Sequence, residues 1–288
     1  MSELNCPICE KLTLSLPVFK MNEYQVVKCE ACQTIYNLNF GSDETGSSVF
    51  EQDYFENVQE PAFIHVKHES HFNESLVIYN KFLSMAQHRI GKKGKVLDVG
   101  AAFGDFVKEA SDNGWDALGV EISEFASSVA RDERHLNVLT GTIENVDCRQ
   151  KFDLITYWDV IEHVENCTTN LNEIKKRLSE DGILLIATDN YQSFLGGLCK
   201  MIFSISFGTI SYPVKRFYIK QNTIYPEMDK FIDYLENSGL RIVYFEKIDY
   251  PLRKIKLNFF ESFILKVIYF VGKILKSNTQ MLILCERI

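Results

Sequence analysis

Residues 95–105, KVLDVGAAFGD, constrain the fold of this chain more than any other stretch. A short apolar run ends in Val96-Leu97, Asp98 follows, and Gly100 and Gly104 punctuate the turn before a helical run from Phe106 to Asn113. Strand, glycine turn and helix in that order build a binding crevice at the carboxyl edge of a parallel sheet. Glycine lets backbone approach a ligand where a side chain would clash. The helix start adds unpaired N–H groups. Two acids flank the turn, Asp98 before it and Glu121 near the end of DALGVEI. Carboxylates there suit a ligand carrying an amino group and ribose hydroxyls better than one carrying a pyrophosphate.

A dinucleotide site carries G-x-G-x-x-G and keeps its phosphate zone free of carboxylates. Here the spacing is D-x-G-x-x-x-G, with Ala102 between the glycines. This pattern resembles motif I of the class I S-adenosylmethionine-dependent methyltransferases. The resemblance implies an α/β fold, a doubly wound Rossmann-like sheet of seven strands with an antiparallel last strand. It places Asp98, Gly100, Ala101, Ala102 and Gly104 on the methionine side of S-adenosylmethionine and Glu121 on the ribose hydroxyls, with Ile122 beside it. By the same likeness Thr142 and Ile143 border the adenine, and Trp158 and Asp159 shape the cofactor site. Tyr54 and Phe55 resemble the aromatic lid segment of many relatives. The likeness covers about residues 92–189. Asp159, Val160, Ile161, Glu162 and His163 match the D-V-(I/L)-E-H of ubiquinone-biosynthesis and sugar-modifying enzymes. The Asp/Asn-Pro-Pro-aromatic loop of amino-directed nucleic-acid methyltransferases is absent.

The residues downstream agree with such a sheet. HLNVLTG (135–141) reads as a third strand and FDLITYWDVIEHVEN (152–166) as a fourth running into a loop. Residues 166–178 form an amphipathic helix with Leu171, Ile174 and Leu178 on one face. The strand ILLIAT follows Gly182. Residues 226–240 read as a helix with Met228, Phe231, Ile232 and Leu235 inward and Gly239 as its stop. Residues 241–248 and 280–286 read as a final antiparallel pair.

At the amino end Cys6-Pro-Ile-Cys9 and Cys29-Glu-Ala-Cys32 are two C-x2-C knuckles separated by nineteen residues. Each knuckle puts two thiolates on one tight turn, and two turns complete a tetrahedron for a small zinc ribbon. Four thiolates leave no open position, so the zinc is expected to be structural. Disulfides or redox thiols are the competing reading. Cys148, Cys167, Cys199 and Cys285 have no such spacing and read as packing residues. No secretory signal precedes Cys6, which points to a reducing cytoplasm.

The chain then divides into residues 1–40, the ribbon; 41–90, a polar linker (GSDETGSS) and lid helices; and 91–288, the methyltransferase domain. That domain includes a cap at 190–226 and a helical insertion at 252–278. The formal net charge of −8 argues against nucleic-acid partners. The charge is uneven: Lys200 to Lys276 holds thirteen Lys/Arg and seven Asp/Glu, or +6, leaving −14 for the remainder. A basic, apolar carboxyl third suits an anionic substrate or membrane surface. Within it, residues 256–276 place Ser262, Lys266, Tyr269, Lys273 and Lys276 on one helical face and Phe, Ile, Leu and Val over the rest. The lysines break every apolar run well short of the ~20 residues that span a bilayer. The helix therefore either lies in a membrane interface, bringing the protein to the inner face, or packs on its own sheet or in a dimer. MIFSISF (201–207) is a second apolar run able to join the same surface.

For a hydroxyl acceptor a base must take the proton as the new bond forms. His163, on the loop after the fourth strand, is the candidate; capping a helix or orienting the loop is the alternative. His65, His68 and His71 form a helical stripe that reads as a polar face rather than a metal site. By the same resemblance, zinc-ribbon-bearing relatives include enzymes that methylate carbon or oxygen of nucleotide-linked deoxysugars, and similar chains methylate surface-polysaccharide sugars. The expected acceptor is thus a small or glycan- or lipid-linked molecule, with a sugar hydroxyl first and carbon of a nucleotide-linked deoxysugar as the alternative. Ribosomal RNA methylation and a non-catalytic interaction module are the readings from other classes. The acidic balance opposes the first and the intact Asp98, Gly100, Gly104 and Glu121 oppose the second.

Overall fold

Short β-branched runs alternate with amphipathic stretches, and the chain builds two sheets from them. A computed structural model describes residues 3–21, 24–39, 69–252 and 257–288. Tyr54, Phe55, His65 and His68 lie outside the described residues, as does the side chain of His71. The amino-terminal strands are β1 (Glu3–Asn5), β2 (Leu12–Lys20), β3 (Gln25–Cys29) and β4 (Ile35–Asn37). Helix α1 (Glu69–Ile90) leads into β5 (Lys95–Val99), α2 (Asp105–Asp112), β6 (Asp116–Glu121), α3 (Glu124–Ser128), β7 (Val138–Thr140), β8 (Phe152–Trp158), α4 (Cys167–Arg177) and β9 (Leu178–Asp189). Then come α5 (Phe194–Ile205), α6 (Tyr212–Phe217), β10 (Ile224–Tyr225), α7 (Met228–Asn237), β11 (Leu240–Ile248), α8 (Phe259–Ile274) and β12 (Gln280–Arg287).

Seven strands form the main sheet in the order β11-β12-β9-β8-β5-β6-β7. β7, β6, β5, β8 and β9 run parallel, while β12 lies antiparallel to both β9 and β11. This is the doubly wound sheet with an antiparallel last strand. The central strands are covered on both faces, which explains their near-continuous apolar runs. In β5 every residue after Lys95 is buried, and partial exposure returns at Gly100, where the turn begins. The third strand is shorter than its apolar pattern suggests, three residues rather than seven, because His135 turns the chain at φ 56° before Val138 pairs with Gly119.

The second sheet has the order β1-β2-β3-β4-β10, all antiparallel. Its last strand comes from the 190–226 segment, not from the amino end. Phe19, Met21, Tyr24, Val26 and Ile35 share one apolar cluster with Tyr191, Cys199, Val214, Tyr218 and Tyr225. Burying each of those large side chains is worth roughly 1.5–3 kcal/mol. The amino-terminal strands and the 190–226 segment, the expected ribbon and cap, are therefore continuous in both backbone pairing and core. Cys6, Ile8, Val27, Cys29 and Tyr36 also belong to the core under the main sheet.

No helix among the described residues is long and apolar enough to cross a membrane. Helix α8 is capped by Asn258, whose side chain accepts from the Glu261 N–H at 2.9 Å while Glu261 reaches back to the Asn258 N–H. This capping box sets its start. Its orientation differs from the sequence reading. Ser262 and Tyr269 turn toward the protein with Gly272, and the lysines lie at the edge. Gly272 suits this close approach, since a Cβ would stand a tight 3.1 Å from the Ser277 carbonyl oxygen. The small polar stripe packs inward, and the phenylalanines face out.

Candidate active site

The turn after β5 is held from beneath by backbone. The N–H groups of Gly100 and Ala101 both donate to the Val120 carbonyl, at 2.8 and 3.2 Å. Gly100 has φ 74°, and a Cβ on it would meet Val160 Cγ2 at 2.3 Å. The glycine thus lets the turn meet the loop after β8 that carries Asp159, Val160, Glu162 and His163. Ala102 adopts φ 46°, a left-handed conformation unusual for a residue with a side chain. What holds it is Glu121: its Oε2 accepts from the Ala102 N–H at 2.8 Å, and its Oε1 accepts from the Ser123 N–H at 2.9 Å.

Asp98 and Glu121 are 3% and 5% exposed. Burial pushes the Asp98 carboxyl up to about 8, against a hydrogen bond from Thr156 Oγ1 at 2.7 Å and with repulsion from Glu121 adding to the rise. Burial also raises Glu121, opposed by the Ser123 and Ala102 N–H groups. Neither acid pairs with a lysine or arginine among the described residues. Two buried acids without a cation make the crevice electrostatically hungry for a positive group.

Trp158 ends β8 beside this turn. Its ring meets Tyr79 of α1 edge-on at 4.8 Å and Phe106 of α2 at 5.5 Å. Its indole Nε1 is buried with no hydrogen-bond partner, an unspent donor at the crevice wall. Asp159 turns the chain at φ 55°, and its Oδ1 accepts from Gln280 Nε2 of β12 at 2.7 Å. On the adenine side the expected residues separate. Ile122 is 38% exposed at the rim. Thr142 caps a short 3₁₀ turn through a reciprocal pair with Asn145. Ile143 is fully buried in the core, so only its backbone is available to a ligand.

Beyond the turn, the carboxyl ends of β8 and β9 form a second polar zone. Glu162 is buried and accepts from Thr188 Oγ1 at 2.8 Å. Burial first, then Asp159 and Asp189, push its carboxyl well above the usual range. Asp189 rises to about 8, for the same first cause. His163 Nδ1 lies 3.2 Å from the Gln221 carbonyl of the cap. A carbonyl only accepts, so this contact assigns the ring proton to Nδ1 and the lone pair to Nε2. Burial lowers the imidazole's basicity below its ordinary value, leaving it neutral near pH 7. The cap also contributes Asn222 Oδ1 and Thr223 Oγ1, both buried without partners, while Asn222 Nδ2 donates to the Tyr191 hydroxyl at 2.7 Å.

The structure thus brings Asp98, Gly100, Ala101, Ala102, Gly104, Glu121, Trp158, Asp159 and His163 to one sheet edge. Several neighbours escaped the sequence reading. Tyr79 is raised by burial and by Asp98, Asp105 and Asp159, which places its phenol among those acids. Asp189 closes β9 as Glu121 closes β6, a position readable from the strand pattern. Gln221, Asn222 and Thr223 reach the site only through the cap's path, which no local pattern reveals.

At the other site, the Sγ atoms of Cys6, Cys9, Cys29 and Cys32 lie within 4.8 Å of one another. Cys6–Cys32 is 3.5 Å and Cys9–Cys29 is 3.8 Å. Disulfides, at about 2.05 Å, are excluded for these cysteines as they stand. Four sulfurs each ~2.3 Å from one ion would sit about 3.8 Å apart, so the set fits tetrahedral zinc. Cys32 is held low by its contact with Cys6, whose own thiol is pushed up by the same contact.

A model of the methyltransferase domain family matches residues 71–245, more than half of the chain. The chain belongs to that family. The ubiquinone biosynthesis O-methyltransferase of Glaesserella parasuis serovar 5 (strain SH0165) is 34% identical over 107 residues, which is 33% of this chain and 45% of that protein. The enzyme of the same name from Bradyrhizobium diazoefficiens is 29% identical over 107 residues, 35% of this chain and 42% of that protein. The match therefore spans less than half the length of these relatives. Among solved structures, magnesium protoporphyrin IX methyltransferase from Synechocystis PCC 6803, with bound SAH, superposes with a TM-score of 0.51 at 12% identity, covering 74% of this chain and 84% of that one. A plantazolicin methyltransferase in complex with a triazolic desmethylPZN analog and SAH gives 0.52 at 16%, covering 76% and 86%. At these identities the likeness establishes the fold.

Proposed function

We propose that this chain transfers a methyl group from S-adenosylmethionine to a hydroxyl of a glycan- or lipid-linked sugar, with His163 as general base. When bound, the cofactor supplies an electrophilic methyl on a sulfonium. The residues fit such a group: Asp98 is a buried acid awaiting a cation, the turn beside it is left-handed at Gly100, Ala102 and Gly104, and Trp158 Nε1 is an unspent donor. Asp98 would hold the amino group and Glu121 the ribose hydroxyls, with Gly100, Ala101, Ala102 and Gly104 under the methionine end. Ile122 and the backbone at Thr142 and Ile143 would border the base. Tyr54, in the segment before α1, remains a candidate lid residue.

The observation that carries the reading is the His163–Gln221 contact. It sets the tautomer in which Nε2 holds a lone pair, and burial keeps the ring neutral, as a base acting near pH 7 must be. The Gln221 carbonyl, by holding the Nδ1 proton, would stabilise the imidazolium once the acceptor's proton has moved to Nε2. Asn222 Oδ1 and Thr223 Oγ1 are acceptor groups suited to sugar hydroxyls. The Cys6/Cys9/Cys29/Cys32 cluster would hold one structural zinc away from this chemistry.

A second reading, methylation at carbon of a nucleotide-linked deoxysugar, draws on Glu162. A carboxyl kept protonated by burial can donate to the oxyanion of an enolate. Mass spectrometry of ligands released by denaturing the purified protein separates the two. A lipid phosphate or glycan supports the first, a nucleotide deoxysugar the second, and a nicotinamide dinucleotide would overturn both.

A further inference from the structure

We infer that α5, α6 and α8 together form a docking face for an anionic lipid bilayer. Helix α8 presents Phe263, Val267, Phe270 and Ile274 at spacings of four, three and four, one continuous stripe. They are 60%, 49%, 67% and 65% exposed. Phe259, at 91%, and Phe260 extend the stripe past the amino end. A soluble helix turns such a stripe inward, and this one turns it out.

The second segment lies beside it. Ile205, Phe207 and Ile210 follow one another at the α5–α6 turn, with Phe207 96% exposed. Phe207 and Gly208 both take left-handed conformations, and Thr209 Oγ1 bonds the Ser206 carbonyl at 2.7 Å. Tyr212, next in line, donates its hydroxyl to Glu261 of α8 at 2.8 Å. The two apolar segments are thereby tied into one surface.

Charge identifies the occupant. Residues 190–226 contain no aspartate or glutamate and four Lys/Arg, in a chain of net charge −8. Residues 250–279 carry six Lys/Arg and one acid, Glu261, which is engaged by its capping box and by Tyr212. Exposed Lys266, Lys273 and Lys276 run along the edge of the apolar stripe. Apolar side chains facing out with a cationic margin match the headgroup and acyl boundary of an anionic membrane. A second copy of the chain would bring a cationic margin and, on these helices, a single acid, Glu261, already engaged by Asn258 and Tyr212, so self-pairing is disfavoured. The face also adjoins the proposed acceptor zone. Phe194 N–H, at the start of α5, bonds the Ser277 carbonyl, and Asn190 N–H and Nδ2 bond Thr279 and Asn278. Asp189, one residue earlier, closes that zone. A bilayer on this face would present its headgroups near the acceptor edge. The docking itself does not rest on the identity of the acceptor.

The test uses the full chain with phosphatidylcholine vesicles, with and without phosphatidylglycerol, at low and high salt. The expected result is co-sedimentation with the anionic vesicles only, lost at high salt. A Phe207→Trp variant should blue-shift its emission on the same vesicles. Phe263→Ser/Phe270→Ser should abolish pelleting with unchanged melting temperature, as should Lys266→Glu/Lys273→Glu/Lys276→Glu. Wild-type protein that never pellets overturns the inference, as does equal pelleting with neutral vesicles. Light scattering that finds a dimer, made monomeric by Phe263→Ser/Phe270→Ser, assigns the face to a second copy instead. Methyl-transfer activity is not the readout, so failure here leaves the catalytic proposal standing.

Discussion

Truncating Glu121 to alanine tests the cofactor site at its most informative point, because one carboxylate has two tasks. Its two oxygens accept from the Ala102 and Ser123 N–H groups at 2.8 and 2.9 Å, and their remaining lone pairs are proposed to meet the ribose. Removing the carboxylate orphans both donors. An orphaned buried donor costs about 1–3 kcal/mol; Ser123 is 1% exposed and loses most, while Ala102 sits nearer solvent. The sum is roughly 2–4 kcal/mol. At about 2–4 °C per kcal/mol for a domain of this size, the melting temperature should fall by roughly 5–15 °C. The ribose bonds are charge-assisted, about 1.5–3 kcal/mol each, so S-adenosylmethionine should bind at least about tenfold more weakly. Thermal scans and titration calorimetry separate the two effects. Glu121→Gln retains volume and one acceptor, so it should recover part of the stability and little of the affinity. A large stability loss with unchanged affinity would make Glu121 only the brace of the Ala102 turn. Tighter binding of NAD than of S-adenosylmethionine would refute the site assignment altogether.

The raised acids set a pH dependence. Asp98 holds a proton up to about 8 in the folded chain against an ordinary 3.8, so the folded state keeps a proton the unfolded state has released. Stability of the ligand-free protein should therefore fall as pH rises from about 4 to about 8, with Asp189 adding to the trend. Binding a cationic amino group should expel the Asp98 proton. Calorimetry in buffers of different ionisation enthalpy should show net proton release near pH 7, and uptake would contradict the pairing. Cys29→Ser should lower zinc content by about one equivalent and increase protease cleavage within residues 1–40, and full retention of metal would contradict the ribbon assignment. His163→Gln should lower turnover by about 10²–10⁴-fold with near-normal S-adenosylmethionine affinity; losing both together would mark it as structural. Asn37→Ala should lower turnover roughly tenfold and shift the pH profile of kcat while leaving zinc content and S-adenosylmethionine affinity unchanged; an unaltered pH profile would remove any link to His163.

The turn after β5 was legible because its residues are local. Asp98, Gly100 and Gly104 lie within seven positions, and their chemistry depends on one strand, one turn and one helix start. The four-cysteine cluster was legible for the same reason, since each knuckle is a short turn. Ile143 shows where local reading fails. Its place after β7 suggests a ligand wall, but the 3₁₀ turn capped by Thr142 rotates the side chain into the core. Helix α8 shows the opposite case. Its composition signals amphipathicity, yet which face packs depends on Gly272 meeting Ser277 and on Tyr269 turning inward, neither visible in a helical projection. The surroundings of His163 depend on a contact 58 positions away, and the pairing of β10 with β4 on a link of nearly 190.

That long link changes what the ribbon does. Asn37 ends β4 and is 3% exposed. Its N–H donates to the Thr223 carbonyl at 2.9 Å, and its Nδ2 donates to the Lys220 carbonyl at 2.8 Å. Gln221 lies between those two anchors, and its carbonyl faces His163. On the other side, the Thr223 N–H donates to the Glu162 carbonyl at 2.7 Å. One short cap segment is therefore clamped between the ribbon and the loop carrying the proposed base. The ribbon grips that loop's helix as well: Thr168 Oγ1 of α4 donates to the Ile8 carbonyl at 2.8 Å, one residue from Cys9. A zinc that stiffens the two knuckles would stiffen β3 and β4 with them, and β4 positions the carbonyl that selects the imidazole tautomer. A module chemically remote from methyl transfer would thus set the protonation geometry of the proposed base. On this view the amino-terminal cysteines are read as part of the catalytic architecture rather than as an appended binding unit.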